Sequence, residues 1–196
     1  DPGSGRRVLR NRGGASISEI SDNSRSALEF EIPDWEGNEL RRFLASIRFY
    51  HLIPQAMKQA NAATAATVLD EQGGNLSAWL MMLQTRYAEE TFSKINSVAR
   101  DLLPELASVL TWPTQQSTVF VASTERFLKT PVPIWHMSDG ELCFLALLSL
   151  IFAPAELGAP LYCVEEPENY LHPRLLTALI ELHRQRQEEL GEKAAQ

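Results

Sequence analysis

The sequence predicts an α/β protein with a helical lobe and short β pieces at its amino end. Three observations carry that prediction. The first residues hold short β-like runs punctuated by glycine and polar clusters. From Asn38, apolar residues recur three or four apart, as along one face of a helix. The last third reads as an apolar helix, a short buried strand and an amphipathic helix, the alternation used by α/β folds.

Taken in order, Arg6–Arg10, Ala15–Ile20 and Ala27–Ile32 have strand character, with Asn11-Arg12-Gly13-Gly14 as a hairpin turn and SDNSRS as a break. Leu40, Phe43, Leu44, Ile47 and Tyr50 predict one helix that Pro54 ends or bends. Asn61 to Thr67 is ambiguous. Gly73-Gly74-Asn75 predicts a turn, with Asn75 capping a long helix from Leu76 through Leu80, Leu83 and Tyr87 towards Arg100. A short helix is expected from Pro104 to Leu110, then a strand at Val119–Ala122 with Phe127-Leu128 as its partner. Leu142 to Ala153 is apolar on all faces, as a fully buried helix would be. Leu161–Val164 predicts a buried strand. The closing helix starts at Pro173 and buries Leu175, Leu176, Leu179, Ile180 and Leu182, with a polar tail that frays from Gln185.

Composition narrows the classes. A hydrophobic content of 44% supports a core. A net charge of −7 and a pI of about 5.2 argue against broad nucleic-acid contact. Arg6, Arg7, Arg10 and Arg12 form a basic cluster, read as a solvated arm or a phosphate-contacting one. Cys143 and Cys163 sit in apolar runs and read as buried thiols of a cytoplasmic protein. The longest apolar stretch is too short to span a membrane, and no signal peptide is visible. The opening DPGSGRRVLR lacks an initiator Met and reads as the start of a piece of something longer. His51, His136 and His183 lack partners at metal spacing, and the four tryptophans are scattered, so both sets read as packing or surface residues.

Two motifs carry chemistry. Ser138-Asp139-Gly140-Glu141 opens the buried helix. Ser followed three residues later by Glu is a capping box. The same geometry presents N–H groups and positive potential to an anion, with Gly140 allowing close approach. The second motif is LYCVEEPENYLHP. A buried strand ends in Glu165 and Glu166, and Pro167 forces the chain out of the sheet. That puts carboxylates at the carboxyl end of a strand, where open α/β sheets hold ligands. Strand alternation would send the two side chains to opposite sides, one towards a metal ion and one towards a water. The bland alternative is an acidic surface loop.

Together the motifs resemble the ABC-type ATPases, and in particular the SMC/RecF/OLD-like group of predicted ATPases. Met137–Glu141 matches the signature loop, usually LSGGQ; Leu161–Glu166 matches the Walker B strand, and Asn169–His172 the D-loop. DEQGGNLSAWL, from Asp70 to Leu80, resembles a phrase of that group's helical lobe. The resemblance implies a partial P-loop NTPase core divided as 1–35, a β-rich arm; 36–116, the helical lobe; and 117–196, the signature helix, Walker B strand and following helix. It implies that Glu166 polarises the attacking water and that Glu165 helps hold Mg²⁺. Ser138, Asp139, Gly140 and Glu141 would meet the γ-phosphate of ATP bound to a second copy. Asn169 and His172 would lie at the dimer seam. Glu165 stands where Asp is usual, and His172 where many transporters have Asp.

The phosphate-binding loop G-x-x-x-x-G-K-[ST] is absent, since none of the lysines follows a glycine. The family's switch histidine is not found either, and its Q-loop residue is unassigned. The chain alone is therefore expected to bind ATP poorly and hydrolyse it negligibly. The leading expectation is part of a cytoplasmic ATPase that hydrolyses ATP between two heads, in DNA repair or defence. A metal-dependent hydrolase using Glu165, Glu166, Glu168 and His172 is one alternative. A non-catalytic interaction module is the other.

Overall fold

The computed structural model of the chain describes residues 7–10, 16–20 and 25–194. The turn expected at Asn11 to Gly14 lies outside them, as do Arg6 and Arg12 of the basic cluster. The chain divides into two compact units, residues 1–47 and 48–196.

In the first unit, β1 (Arg7–Arg10) and β2 (Ser16–Ile20) pair antiparallel, with Arg7 opposite Ile20 and a register irregularity between Leu9 and Arg10. The third expected strand, Ala27–Ile32, does not form. Ala27–Glu29 is a 3₁₀ turn closed by a capping box between Ser26 and Glu29. Local side-chain partners for the backbone outcompete the strand character of the sequence there. Helix α1 (Gly37–Ser46) follows the apolar period only to Ser46. Ile47 is extended, and the stretch predicted to stay helical through Tyr50 becomes a strand.

That strand, β3 (Arg48–Tyr50), opens the second unit. It lies parallel to β8 (Tyr162–Val164), with Tyr50 beside Val164. Arg48 N–H donates to the Leu161 carbonyl at 3.0 Å, and Glu165 N–H to the Tyr50 carbonyl at 2.8 Å, so the ladder continues past both ends of β8. Pairing across more than a hundred residues overrides the helical spacing of Leu40 to Tyr50, as tertiary context can override local pattern.

Pro54 does not end a helix. It starts one, at the first turn of the short α2 (Pro54–Met57), where its missing N–H costs nothing. The ambiguous stretch after it holds β4 (Asn61–Ala62), paired with Thr118 and Val119. Gly73 makes the predicted turn at φ +76°, a left-handed conformation suited to glycine; a Cβ there would meet Met57. Asn75 stands at the helix start but does not cap it. Its side chain accepts from Asp70 N–H at 2.8 Å and donates to the Val68 carbonyl at 2.9 Å, closing the preceding loop instead.

Helix α3 (Leu76–Arg86) passes through a π-turn at Ala88–Phe92 into α4 (Ser93–Leu102), so the long helix expected towards Arg100 is present with one wide turn. The Tyr87 carbonyl accepts from both Thr91 and Phe92 there. Beyond it, the helix expected from Pro104 to Leu110 is strand β5 (Leu106–Pro113), paired antiparallel with β6 (Thr118–Glu125). Asn96 of α4 exchanges two hydrogen bonds with the Val109 backbone, which ties the helix to the strand. The other edge of β6 carries β4 and, in place of the expected Phe127-Leu128, β7 (Val132–Pro133). Phe127 and Leu128 are exposed.

Helix α5 (Asp139–Ile151) is the centre of this unit. Every residue from Leu142 to Leu150 is buried, as its all-round apolar sequence predicts. Its one polar residue in that run, Ser149, accepts from the Trp79 indole N–H at 2.9 Å and donates to the Ala146 carbonyl at 2.6 Å. Both cysteines are free, and burial pushes the Cys143 thiol up to about 12. Helix α6 (Pro173–Ala194) packs on α5. Leu179 joins the core and Leu175 and Leu182 pack against it, whereas Leu176, also expected inside, is only half-buried and outside that cluster, and Ile180 is exposed. The tail is helical through Ala194, with Arg184 pairing to Glu181 and Glu188 and Arg186 to Glu189. Among the described residues no helix is long and apolar enough to cross a membrane.

Ser149→Ala would leave the buried Trp79 N–H without a partner. It should cost about 2 kcal/mol in denaturant unfolding. A midpoint unchanged from the parent protein would mean that this hydrogen bond does not hold α3 to α5.

Candidate functional site

The amino end of α5 begins with Ser138 in an extended conformation. Its Oγ accepts from Glu141 N–H at 3.2 Å, and its own N–H donates to the Glu141 carboxylate at 2.9 Å. The capping box read from the sequence is therefore formed. The hydroxyl proton of Ser138 takes no part in either bond, so the group can still donate. Ser138 is exposed, and Asp139, Gly140 and Glu141 are partly so. Asp139 pairs with Lys58 of the segment after α2, Nζ to Oδ1 at 2.6 Å.

At the other motif, β8 delivers Glu165 and Glu166 to the carboxyl end of the parallel pair, both exposed. The strict alternation expected of them stops at Glu165. Glu166 has φ +45°, a left-handed conformation that costs a non-glycine residue about 1–2 kcal/mol. The chain turns there, one residue before Pro167. Asn169 closes the turn: its N–H donates to the Glu166 carbonyl at 3.0 Å, and its side-chain amide donates to the Glu166 carboxylate at 2.6 Å. Glu165 instead faces His51, which follows β3; Nδ1 and Oε2 are 3.1 Å apart. The two acids thus have different partners, for a reason the strand pattern did not contain.

The loop continues through Glu168, whose carbonyl accepts from Leu171 N–H at 3.3 Å. His172 Nδ1 accepts from Arg174 N–H at 3.2 Å, and the His172 carbonyl accepts from the N–H groups of Leu175 and Leu176. His172 is thus the residue from which the last helix starts. The two motifs meet at Gly140: a Cβ there would lie 2.7 Å from the Tyr170 carbonyl oxygen. Glycine is needed at this position because another segment's backbone lies against it, whatever else it admits.

The structure therefore joins Ser138 to Glu141, Glu166 to Asn169, and Gly140 to the loop between Asn169 and His172. Glu165, Glu166, Glu168 and His172 are not drawn into a common metal cage. Among the described residues no group of three or more His, Cys, Asp or Glu side chains is arranged to hold a metal ion. Sequence reasoning missed Lys58, His51 and Tyr170. A signal for His51 existed: the two residues before it, Phe49 and Tyr50, are β-favouring aromatics. The helical spacing running through Tyr50 concealed it.

Residues 88–196 fit the family described as "AAA domain, putative AbiEii toxin, Type IV TA system", which is more than half of the chain. No curated protein matches, and no solved structure does.

Gly140→Ala should destabilise the chain by about 1–3 kcal/mol, because backbone on both sides must move to accept the methyl group. A substitution as stable as the parent would show that the amino end of α5 is not held against the Tyr170 loop.

Proposed function

The chain belongs to that AAA-domain family, a P-loop NTPase-type family that points to a nucleotide-binding, ATPase-like protein, and from this premise we propose that it supplies two parts of an ABC-type ATPase head. One is the signature helix, α5 with Ser138 and Gly140 at its tip. The other is the Walker B strand, β8 with Glu165 and Glu166 at its end, followed by the D-loop from Asn169 to His172. The observation that supports this most is the packing of Gly140 against Tyr170, which brings the two exposed motifs together.

In this reading Glu166 receives a proton from the water that attacks the γ-phosphate. Its carboxylate is oriented by the Asn169 amide and its backbone by the turn at φ +45°. A strained, over-determined residue at a strand tip suits a group that must not swing. Glu165, with Glu166 beside it, offers hard oxygen donors, which fit magnesium held by one or two carboxylates plus water and phosphate oxygens. Such an ion, when bound, neutralises phosphate charge. Ser138 would donate its hydroxyl proton, and the first amides of α5 their N–H groups, to a triphosphate carried by a second copy. The residues present fit that nucleotide as halves of a site. The phosphate cradle is absent from the sequence, so its loop would come from residues other than these 196. Of repair and defence, the toxin–antitoxin description of the family favours defence.

Glu166→Gln tests the reading in the ATP-hydrolysing assembly that contains this chain. Turnover should fall by at least about 100-fold. ATP binding should persist, and a nucleotide-bound dimer should accumulate in light scattering. Turnover near that of the parent would remove Glu166 from the role.

A further inference from the structure

Asp139 poses a problem for the reading just given. The signature loop of the resembling family is usually LSGGQ, and here its third position is an acid. Glu141, also acidic, is turned back into the capping box and spends its carboxylate on Ser138 N–H. Asp139 has no such partner on its own helix. A carboxylate beside the tip of α5 cancels the positive potential of the helix end and repels a polyphosphate.

Lys58 answers it. Its ammonium lies 2.6 Å from the Asp139 carboxylate, brought there from a different element more than eighty residues earlier in the chain. The lysine is only 21% exposed, so its position is set by surrounding packing rather than by a free-swinging side chain. The scaffold behind it is firm. Pro54 and Met57 of α2 are buried, Lys58 N–H donates to the Pro54 carbonyl at 3.1 Å, and Met57 sits under the Gly73 turn.

We infer that Lys58 is a positioning residue of the proposed nucleotide site, holding and neutralising Asp139 so that the tip of α5 can receive the triphosphate of a second copy. This rests on the ATPase reading above and adds to it a residue that no motif contains. The pair is neutral as it stands. Removing Lys58 leaves one uncompensated negative charge at the tip, and removing the Asp139 charge leaves one uncompensated positive charge. The two changes must therefore act on anion affinity with opposite signs. An ordinary structural ion pair would instead be weakened alike by both.

The test is a titration of the 196-residue chain with tripolyphosphate and with ATP, followed through the amide resonances of Ser138 to Glu141 at millimolar ligand. Wild type should show weak saturable shifts. Lys58→Met should weaken binding about fivefold, the effect of one charge near a helix end. Asp139→Asn should strengthen it by a similar factor. The double variant should return close to wild type, and Lys58→Arg should keep most of the affinity. Spectra of the free variants show whether each is folded, and Asp139→Asn carries the sign test if Lys58→Met is not. Wild-type binding with both single variants shifted the same way, or neither shifted, overturns the role of Lys58 alone. No shift at these amides in wild type overturns the phosphate-facing role of the α5 tip, and the role of Lys58 with it.

Discussion

A helix that is apolar around its whole circumference has no face to give to water. Helix α5 is such a helix, and the second unit is arranged to surround it. Helix α3 reaches it through the Trp79–Ser149 hydrogen bond, and α2, α4 and α6 pack on it. Burial on this scale removes freedom from the ends as well as from the middle. Ser138 emerges at the rim because the residues after Leu142 cannot be anywhere but inside.

The same constraint explains why two short acidic motifs share one rim. The loop leaving β8 must pass the amino end of α5 on its way to α6, and it does so at backbone-to-backbone distance, over Gly140. Charge is then distributed in local pairs. Glu141 is absorbed by the cap, Asp139 by Lys58, Glu166 by Asn169, and Glu165 faces His51. The like-charge crowding evident in the sequence is thus met by separate partners for each acid.

Much of this was legible in the residues. The apolar run announced α5, the S-x-x-E spacing announced its cap, and the proline after two glutamates announced the end of β8. What was not legible depended on distant pairing. Strand β3 carries a helical period and becomes a strand because β8 is there to pair with it. Strand β5 follows a helix-like Pro-Glu-Leu start and is extended because β6 returns along it. Asn75 looked like a cap and instead closes the loop before it, since its amide found Val68 and Asp70 first. Lys58 and His51 belong to no motif. They matter through segments that sequence order places far from the residues they face.

The central claim is that the tip of α5 and the end of β8 serve a single nucleotide-dependent joint between copies of the chain. Amide hydrogen exchange on the assembled protein, with and without Mg-ATP, addresses it most directly. The account predicts that residues 137–141 and 165–172 slow together when nucleotide is present and are released together when it is hydrolysed. Slowing at one segment without the other, or at neither, would contradict it.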